Sequence, residues 1–432
     1  MFIYGHYAWV TSETQTQLIT PQLNEEFIDP NALQIVRALK QRGFSTYLVG
    51  GCVRDLLLGK HPKDYDIATN ARPQDIRRLV HNSFIIGKRF RLVLVKRGES
   101  QYEVATFRRD LRPNENVEEL PGGIDNIFGT PEEDARRRDF TINGLFYDPV
   151  QGKLIDFVDA ASDLEHGIIR MIGEPEVRLA EDPIRILRGI RLAHMIRFAL
   201  EPSLREGIKK LADRLSGTAL PRRREEILKF LRLEDPSQPF ITCYDLGVLP
   251  FLSPTINHLL HSEPVLGEEF LRHLANFHDK ALETPTELFS GLVLSYYLSK
   301  HAGEISDRLR AHDILEDKAL IPLLRDELGM FKSEQTHMAK ALQTLALLRR
   351  RKDFETRGER RRAAFVNTDS FGLALKLADR IHWLKPDDLH YWHGEFDRLR
   401  SHHSRSSGSG GAAGGRRRRR RRPRRPGAPT AE

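Results

Sequence analysis

The apolar positions of the first hundred residues change period several times, and each change marks an element. Leu33, Ile35, Val36 and Leu39 recur at helical spacing and predict a helix from Asn31 to Arg42, closed by Gly43. Thr46-Tyr47-Leu48-Val49 reads as a buried strand that runs into Gly50 and Gly51. A second helix is expected after Asn70-Ala71-Arg72-Pro73, through Val80. Phe84 to Ile86, Leu92 to Val95 and Tyr102 to Phe107 read as strands, the last two joined by a turn at Arg97-Gly98-Glu99-Ser100. This is the pattern of a compact α/β unit with a small mixed sheet. A polar loop from Asp110 to Ile124, with Pro113, Pro121, Gly122 and Gly123, is expected to be mobile. Beyond Leu164 strand signals fade, and amphipathic helical periodicity continues to about residue 400. The fold class expected is α+β: a polar lead-in over 1–30, a head over 31–150, a helical neck over 151–215, a helical body over 216–400 and a tail over 401–432.

Composition narrows this picture. At 432 residues and 40% hydrophobic, the chain can bury a substantial core and divides into two to four domains. It holds no run of about 18 apolar residues, and Met1 to Glu26 lacks the basic and then apolar blocks of a signal peptide, so a cytoplasmic protein with no membrane partner is expected. Two distant cysteines, Cys52 and Cys243, argue against a disulfide scaffold and a cysteine-rich zinc site; Cys52 reads as a small packed residue. The formal charge of +8 is unevenly placed: residues 401–432 carry +9 and the first 400 residues −1. A Gly/Ser linker leads to Arg416, Arg417, Arg418, Arg419, Arg420, Arg421, Arg422, Arg424 and Arg425. Such a run cannot bury a core and is expected to stay disordered, free to contact an RNA backbone.

Three clusters carry candidate chemistry. In the first, backbone amides at Gly50 and Gly51 can approach a triphosphate with no Cβ in the way, and Arg54 supplies a fork for phosphate oxygens. Asp64 and Asp66 follow, two apart in an expected strand, so that their side chains leave one face with Cα atoms ~6.6 Å apart. Both can reach a shared pair of Mg2+ ions, and Glu103 is the candidate third carboxylate. Together these residues point to nucleotidyl transfer. In the second cluster, Arg136-Arg137-Arg138-Asp139-Phe140-Thr141-Ile142-Asn143, the Asp139 carboxylate and Asn143 amide can bind ribose hydroxyls and phosphate while Arg138 and its neighbours meet the triphosphate. The third, Glu181-Asp182-Pro183-Ile184-Arg185-Ile186-Leu187-Arg188, places Asp182, Arg185 and Arg188 on one helix face. A carboxylate beside a guanidinium matches the Watson–Crick edge of adenine or cytosine and mismatches guanine and uracil. An ordinary helix N-terminus with ion pairs at that spacing would explain the third cluster if it stood alone. His278-Asp279 has no partners at metal-binding spacing and reads as an exposed pair.

Taken together, these motifs resemble the class II tRNA nucleotidyltransferase and poly(A) polymerase superfamily, in its bacterial poly(A) polymerase branch. The resemblance runs from about Phe27 to Asp163, through the neck to about Leu252, and weakly to residue 400. It implies that Asp64 and Asp66 are catalytic metal ligands with Glu103 beside them, that Asp139 belongs to the catalytic set, and that Gly50, Gly51 and Arg54 hold the triphosphate. Arg108, Asp139 and Asn143 would contact the incoming nucleotide, and Asp182 with Arg185 would select its base. Ile85-Ile86-Gly87-Lys88-Arg89-Phe90-Arg91 and Asn126-Ile127-Phe128-Gly129-Thr130 are similar to segments that separate polymerases from CCA-adding enzymes. The chain departs from the family at Asp159-Ala160, where Gly-Gly is usual, at Gly144 and Gly189, which replace alanines, and at Leu192, where Phe is usual. The expectation is a Mg2+-dependent adenylyltransferase that extends RNA 3′ ends with ATP, on mRNA, on small or decaying RNA, or on tRNA, with RNA-degradation proteins as candidate partners. Two rivals share parts of the pattern: a tRNA CCA-adding or A-adding enzyme, and a catalytically weak RNA-binding protein.

Overall fold

The computed structural model describes residue 23 and residues 25–87, 92–110, 127–278 and 282–408, the last eight by their backbone alone. The arginine tail, most of the expected mobile loop, Lys88 to Arg91, Asn126 and Asp279 lie outside the described residues. Contacts divide the chain into two compact units, one of Met1–His278 and Pro322–Gly329, the other of Asp279–Ile321 and Met330–Glu432, in each case through their described residues. The expected body, residues 216–400, contributes to both.

In the first unit, helix α1 (Pro30–Lys40) starts where Asp29 accepts from the backbone amides of Asn31 and Ala32 at 2.7 and 3.1 Å, with Pro30 in the first turn. Its buried face is Ala32, Ile35, Val36 and Leu39, three of them in the helical pattern read above. The sheet has seven strands, two more than the five expected. They are β1 (Thr46–Val49), β2 (Asp66–Thr69), β3 (Ser83–Ile86), β4 (Leu92–Arg97), β5 (Ser100–Thr106), β6 (Leu145–Asp148) and β7 (Lys153–Asp156), in the order β3-β4-β5-β2-β1-β6-β7. Only β2 and β5 run parallel. Register between β1 and β2 is pinned at one end by the buried Thr46 and Thr69 hydroxyls, 2.9 Å apart.

Strand alternation sorts the side chains into two layers. On one face Leu48, Ile67, Val93, Val95 and Val104 pack with α1, with α2 (Gly51–Leu57) through Val53 and Leu56, and with α3 (Pro73–Leu79) through Ile76. On the other, a smaller cluster of Phe107, Phe146 and Ala135 covers Val49 and Ala68. Ala135 lies on α4 (Pro131–Arg136), which opens with a capping box between Thr130 and Glu133.

Past the sheet, α5 (Ala160–His166), α6 (Pro175–Glu181), α7 (Ile184–Ile196), α8 (Pro202–Leu211) and α9 (Leu220–Phe230) follow, interrupted by a two-residue strand pair, Ile168–Ile169 with Ala199–Leu200. Helices dominate as expected. Asp159, where the resemblance leads to an expectation of glycine, takes the left-handed backbone with φ 60° at the start of α5. Aspartate tolerates that region better than most side chains, at a cost that glycine avoids. The two glycines that replace alanines have their own reason. A Cβ on Gly144 would stand 2.6 Å from Val158 Cγ2, which would have to shift, and one on Gly189 would stand 3.1 Å from Phe140 Cζ, a tight contact in which the ring would have to give by a few tenths of an ångström.

The second unit is helical by itself. Helix Pro285–Lys300 is buried from Leu288 to Ser299, and the indoles of Trp383 and Trp392 each donate to a carbonyl of helix Lys332–Leu348 at 2.9 Å. No described helix is long and apolar enough to cross a membrane.

Candidate active site

The site grows out of the centre of the sheet. Val49, the last residue of β1, pairs with Asp66, the first of β2, and Asp66 pairs in parallel with Glu103 of β5. The chain leaves β1 through Gly50, whose φ is 74° and where a Cβ would meet Arg138 Nη1 at 2.8 Å. The left-handed backbone favours glycine here, and a Cβ would also displace the Arg138 guanidinium. Asp64 precedes the strand rather than lying in it, yet it faces the same cleft as Asp66. The cleft has a volume of about 880 Å³, and it takes in Gly50, Gly51, Arg54, Arg138, Asp139, Asn143, Asp182, Arg185 and Arg188 as well. Nine Lys and Arg against five Asp line it, a surplus of positive charge that suits a polyanion. Leu192, Met195 and Ile196 of α7 give it an apolar wall.

Arg108 and Glu103 do not line this cleft. They face a second cavity of about 670 Å³ that shares Asp66 and Arg138 with the first. Arg108, expected on the nucleotide, thus stands on the far side of Asp66.

Several side chains hold one another. Arg54 is buried and turned inward, donating to Asp55 from Nε and Nη2 at 2.9 and 2.7 Å and to Asn143 Oδ1 from Nη1 at 2.8 Å. Asn143 in turn donates to Asp139, and Arg188 of α7 grips the same Asp139 with Nε at 2.7 Å and Nη2 at 2.6 Å. Burial alone would raise the Asp139 carboxyl, but Arg188, Asn143 and the Phe140 amide outweigh it and hold the group below its ordinary value. Asp134 clamps Arg137 and Arg138 at 3.1 and 3.0 Å and accepts from the Arg108 amide. Arg138 also donates to the Asn143 carbonyl at 3.2 Å, while its buried Nε has no partner among the described residues.

The third cluster is arranged differently from the expected face. Asp182 ends α6 in extended conformation, and its carboxylate is held by Arg222 of α9 rather than by Arg185, while Arg185 donates to Glu181 and to the Arg178 carbonyl. Arg222, Asp134 and Glu226, which receives Arg191 at 2.8 Å, are members the sequence reading missed. Arg222-Arg223-Arg224 with Glu225 and Glu226 was the available signal, a charged run on a helix that still buries Ile227 and Leu228.

The carboxylates fit a hard cation. Desolvation in the cleft pushes the Asp66 carboxyl up, Arg138 opposes it and Asp64 adds to it. Desolvation, Asp66 and Asp64 all push Glu103 up. No three described His, Cys, Asp or Glu side chains converge as a ready-made metal site. Two carboxylates with substrate phosphates completing the shell are what Mg2+ commonly takes, and Asp64 with Asp66 meet that pattern. Cys52 is buried, and burial followed by Asp66 pushes its thiol up to about 12, so it is packing and not a nucleophile.

A family profile described as "Poly A polymerase head domain" matches residues 46–170, and one described as "Probable RNA and SrmB-binding site of polymerase A" matches 197–260. A CCA-adding enzyme of Ligilactobacillus salivarius is 33% identical over 301 residues, 68% of this chain and 69% of its own length. The chain belongs to the class II tRNA nucleotidyltransferase and poly(A) polymerase family. Within that family, poly(A) polymerase I of Salmonella typhi is 41% identical over 241 residues, 54% of this chain and 52% of the relative. The chain thus spans about half the length of the first curated relatives it matches. The family fold is also that of the Bacillus stearothermophilus CCA-adding enzyme crystallised with CTP, with a TM-score of 0.62 and 24% identity over 87% of this chain and 83% of that one.

Proposed function

We propose that this chain is a template-independent RNA adenylyltransferase, transferring AMP from ATP to an RNA 3′-hydroxyl. The observation that carries the reading is that Asp64 and Asp66 share one cleft with Asp182 and Arg185, the pair suited to an adenine or cytosine edge. In the transfer, the 3′-oxygen bonds to the α-phosphorus, the bond to the β-phosphoryl oxygen breaks, and pyrophosphate leaves while the hydroxyl proton passes to solvent. Mg2+ held by Asp64 and Asp66 would acidify the hydroxyl and neutralise the leaving pyrophosphate. The residues of the chain position the reactants: the Gly50-Gly51 turn and Arg138 lie against the phosphates, Asp139 and Asn143 against the ribose, and Arg185 against the base. The choice of ATP rests on the 41% identity to poly(A) polymerase I and on the arginine run after residue 415.

The second reading is CCA or single-A addition to tRNA. The match to a CCA-adding enzyme over 68% of this chain favours it, and the edge read by Asp182 and Arg185 is common to A and C. Asp66→Ala tests the shared claim. It removes several kcal/mol of charge stabilisation, a loss of at least ~100-fold in rate. Adenylation retained at the wild-type rate would refute nucleotidyl transfer at this site.

A further inference from the structure

The sheet face that carries Asp66 continues past the cleft. Register places Asp66 beside Glu103, Glu103 beside Leu94, and Leu94 beside Phe84, so one line of side chains crosses β2, β5, β4 and β3 to the edge of the sheet. Alternation adds Ile86, Leu92 and Lys96 to the same face. The reverse side of these strands is closed, with Val93, Val95, Tyr102 and Val104 buried in the main core. On the Asp66 side, Phe84 is 49% exposed and Ile86 40% exposed. An aromatic ring and a β-branched side chain side by side on an edge strand invite association, and natural edges are usually blunted against it. The second cavity runs along this face from Asp66 and Glu103 to Leu92 and Ile86, with Arg108 and Arg137 beside it.

We propose that this face is the track for the acceptor strand, on which single-stranded RNA just upstream of its 3′ end lies with a base stacked on Phe84. The proposal rests on the nucleotidyl-transfer reading. The first argument is continuity: an acceptor hydroxyl must reach the carboxylates from the side away from the leaving pyrophosphate, and the second cavity meets the first at Asp66 and Arg138. The second is chemistry. Single strands are held by aromatic platforms beside cations. Phe84 has Lys96 Nζ 6.0 Å from its ring centroid, and Arg108 and Arg137 stand nearer the carboxylates. Distance then assigns the contact. Three strand spacings separate Asp66 from Phe84, ~14 Å, beyond the terminal nucleotide whose hydroxyl reacts, so Phe84 meets a base behind it. A protein ligand would match the apolar edge but not its continuation into a carboxylate site.

Phe84→Ala and Phe84→Trp test this in the full chain, and the exposure of Phe84 makes both compatible with folding. With a short RNA oligonucleotide as acceptor, Phe84→Ala is expected to raise the acceptor KM about tenfold, the scale of one lost stack. The ATP KM and the rate at saturating RNA should hold, and Phe84→Trp should restore the acceptor KM. In the same oligonucleotide, 2-aminopurine placed at successive positions behind the 3′ end should be quenched by wild type and Phe84→Trp and not by Phe84→Ala. An unchanged acceptor KM, an equal rise in the ATP KM, or quenching that survives Phe84→Ala would overturn the track. If wild type transfers no nucleotide, the activity assignment fails. The quenching needs no turnover and still decides whether RNA lies on this face.

Discussion

Arg222 donates to both carboxylate oxygens of Asp182, each at 2.9 Å, across 40 residues of sequence. The pair joins the end of α6 to α9 inside the cleft and fixes the carboxylate expected to meet the base. Its side chains are 55% and 27% exposed, so as a surface ion pair it contributes at most ~1 kcal/mol to stability. Arg222→Ala should therefore leave the denaturation midpoint almost unchanged. It should raise the ATP KM several-fold, because the freed carboxylate loses its fixed orientation. Urea denaturation and ATP saturation curves on one preparation separate the two effects. A large stability loss with an unaltered KM would make the pair merely structural.

Asp139 and Glu226 predict a pH response. In each, burial favours the neutral acid, but Arg188 on Asp139 and Arg191 with Lys229 on Glu226 outweigh it, so both folded-state values lie below the ordinary one. As pH falls through the ordinary carboxyl range, near ~4, the unfolded chain takes up protons before the folded one. Their contribution is then complete above that range and is lost below it as the folded-state values are crossed. Asp139→Asn should make the acid limb of a stability–pH curve shallower and lower stability at neutral pH by about 1–2 kcal/mol. The modest size reflects Arg188, whose side chain is 36% exposed and therefore screened. Midpoints measured from neutral to acid pH check both statements.

The tail predicts a salt signature. If the run from Arg416 to Arg425 neutralises ~6 phosphates of single-stranded RNA, log affinity should fall with log salt at a slope of about −4. Truncation after Gly408 should flatten that slope and weaken RNA binding, with nucleotide transfer at saturating RNA retained. Filter binding across a salt series, with and without the truncation, is the check.

Much of the head was legible because local pattern and tertiary role agree there. Three of the four buried residues of α1 are the apolar positions at helical spacing. The Gly50 turn needs glycine for its positive φ. The strands with Val93, Val95 and Val104 alternate because one of their faces is closed. The strands β6 and β7 were missed. All four residues of Leu145-Phe146-Tyr147-Asp148 are buried, and a run with no polar face has no period to read. The site residues were legible as types and less so as partners. Asp182 was expected beside Arg185 because they are near in sequence, but the pairing guanidinium comes from α9. Arg54 reads as a phosphate fork by type, while the fold turns it onto Asp55 and Asn143. The Asp182–Arg222 and Arg54–Asn143 pairings are set by tertiary packing, which a motif does not encode.

The most direct test of the account is incorporation of labelled ATP and, separately, CTP into two acceptors, a generic RNA oligonucleotide and a tRNA lacking its CCA end. The account predicts long extension of both acceptors with ATP and none with CTP. Short addition of C or A confined to the tRNA would contradict it and assign the chain to tRNA maturation.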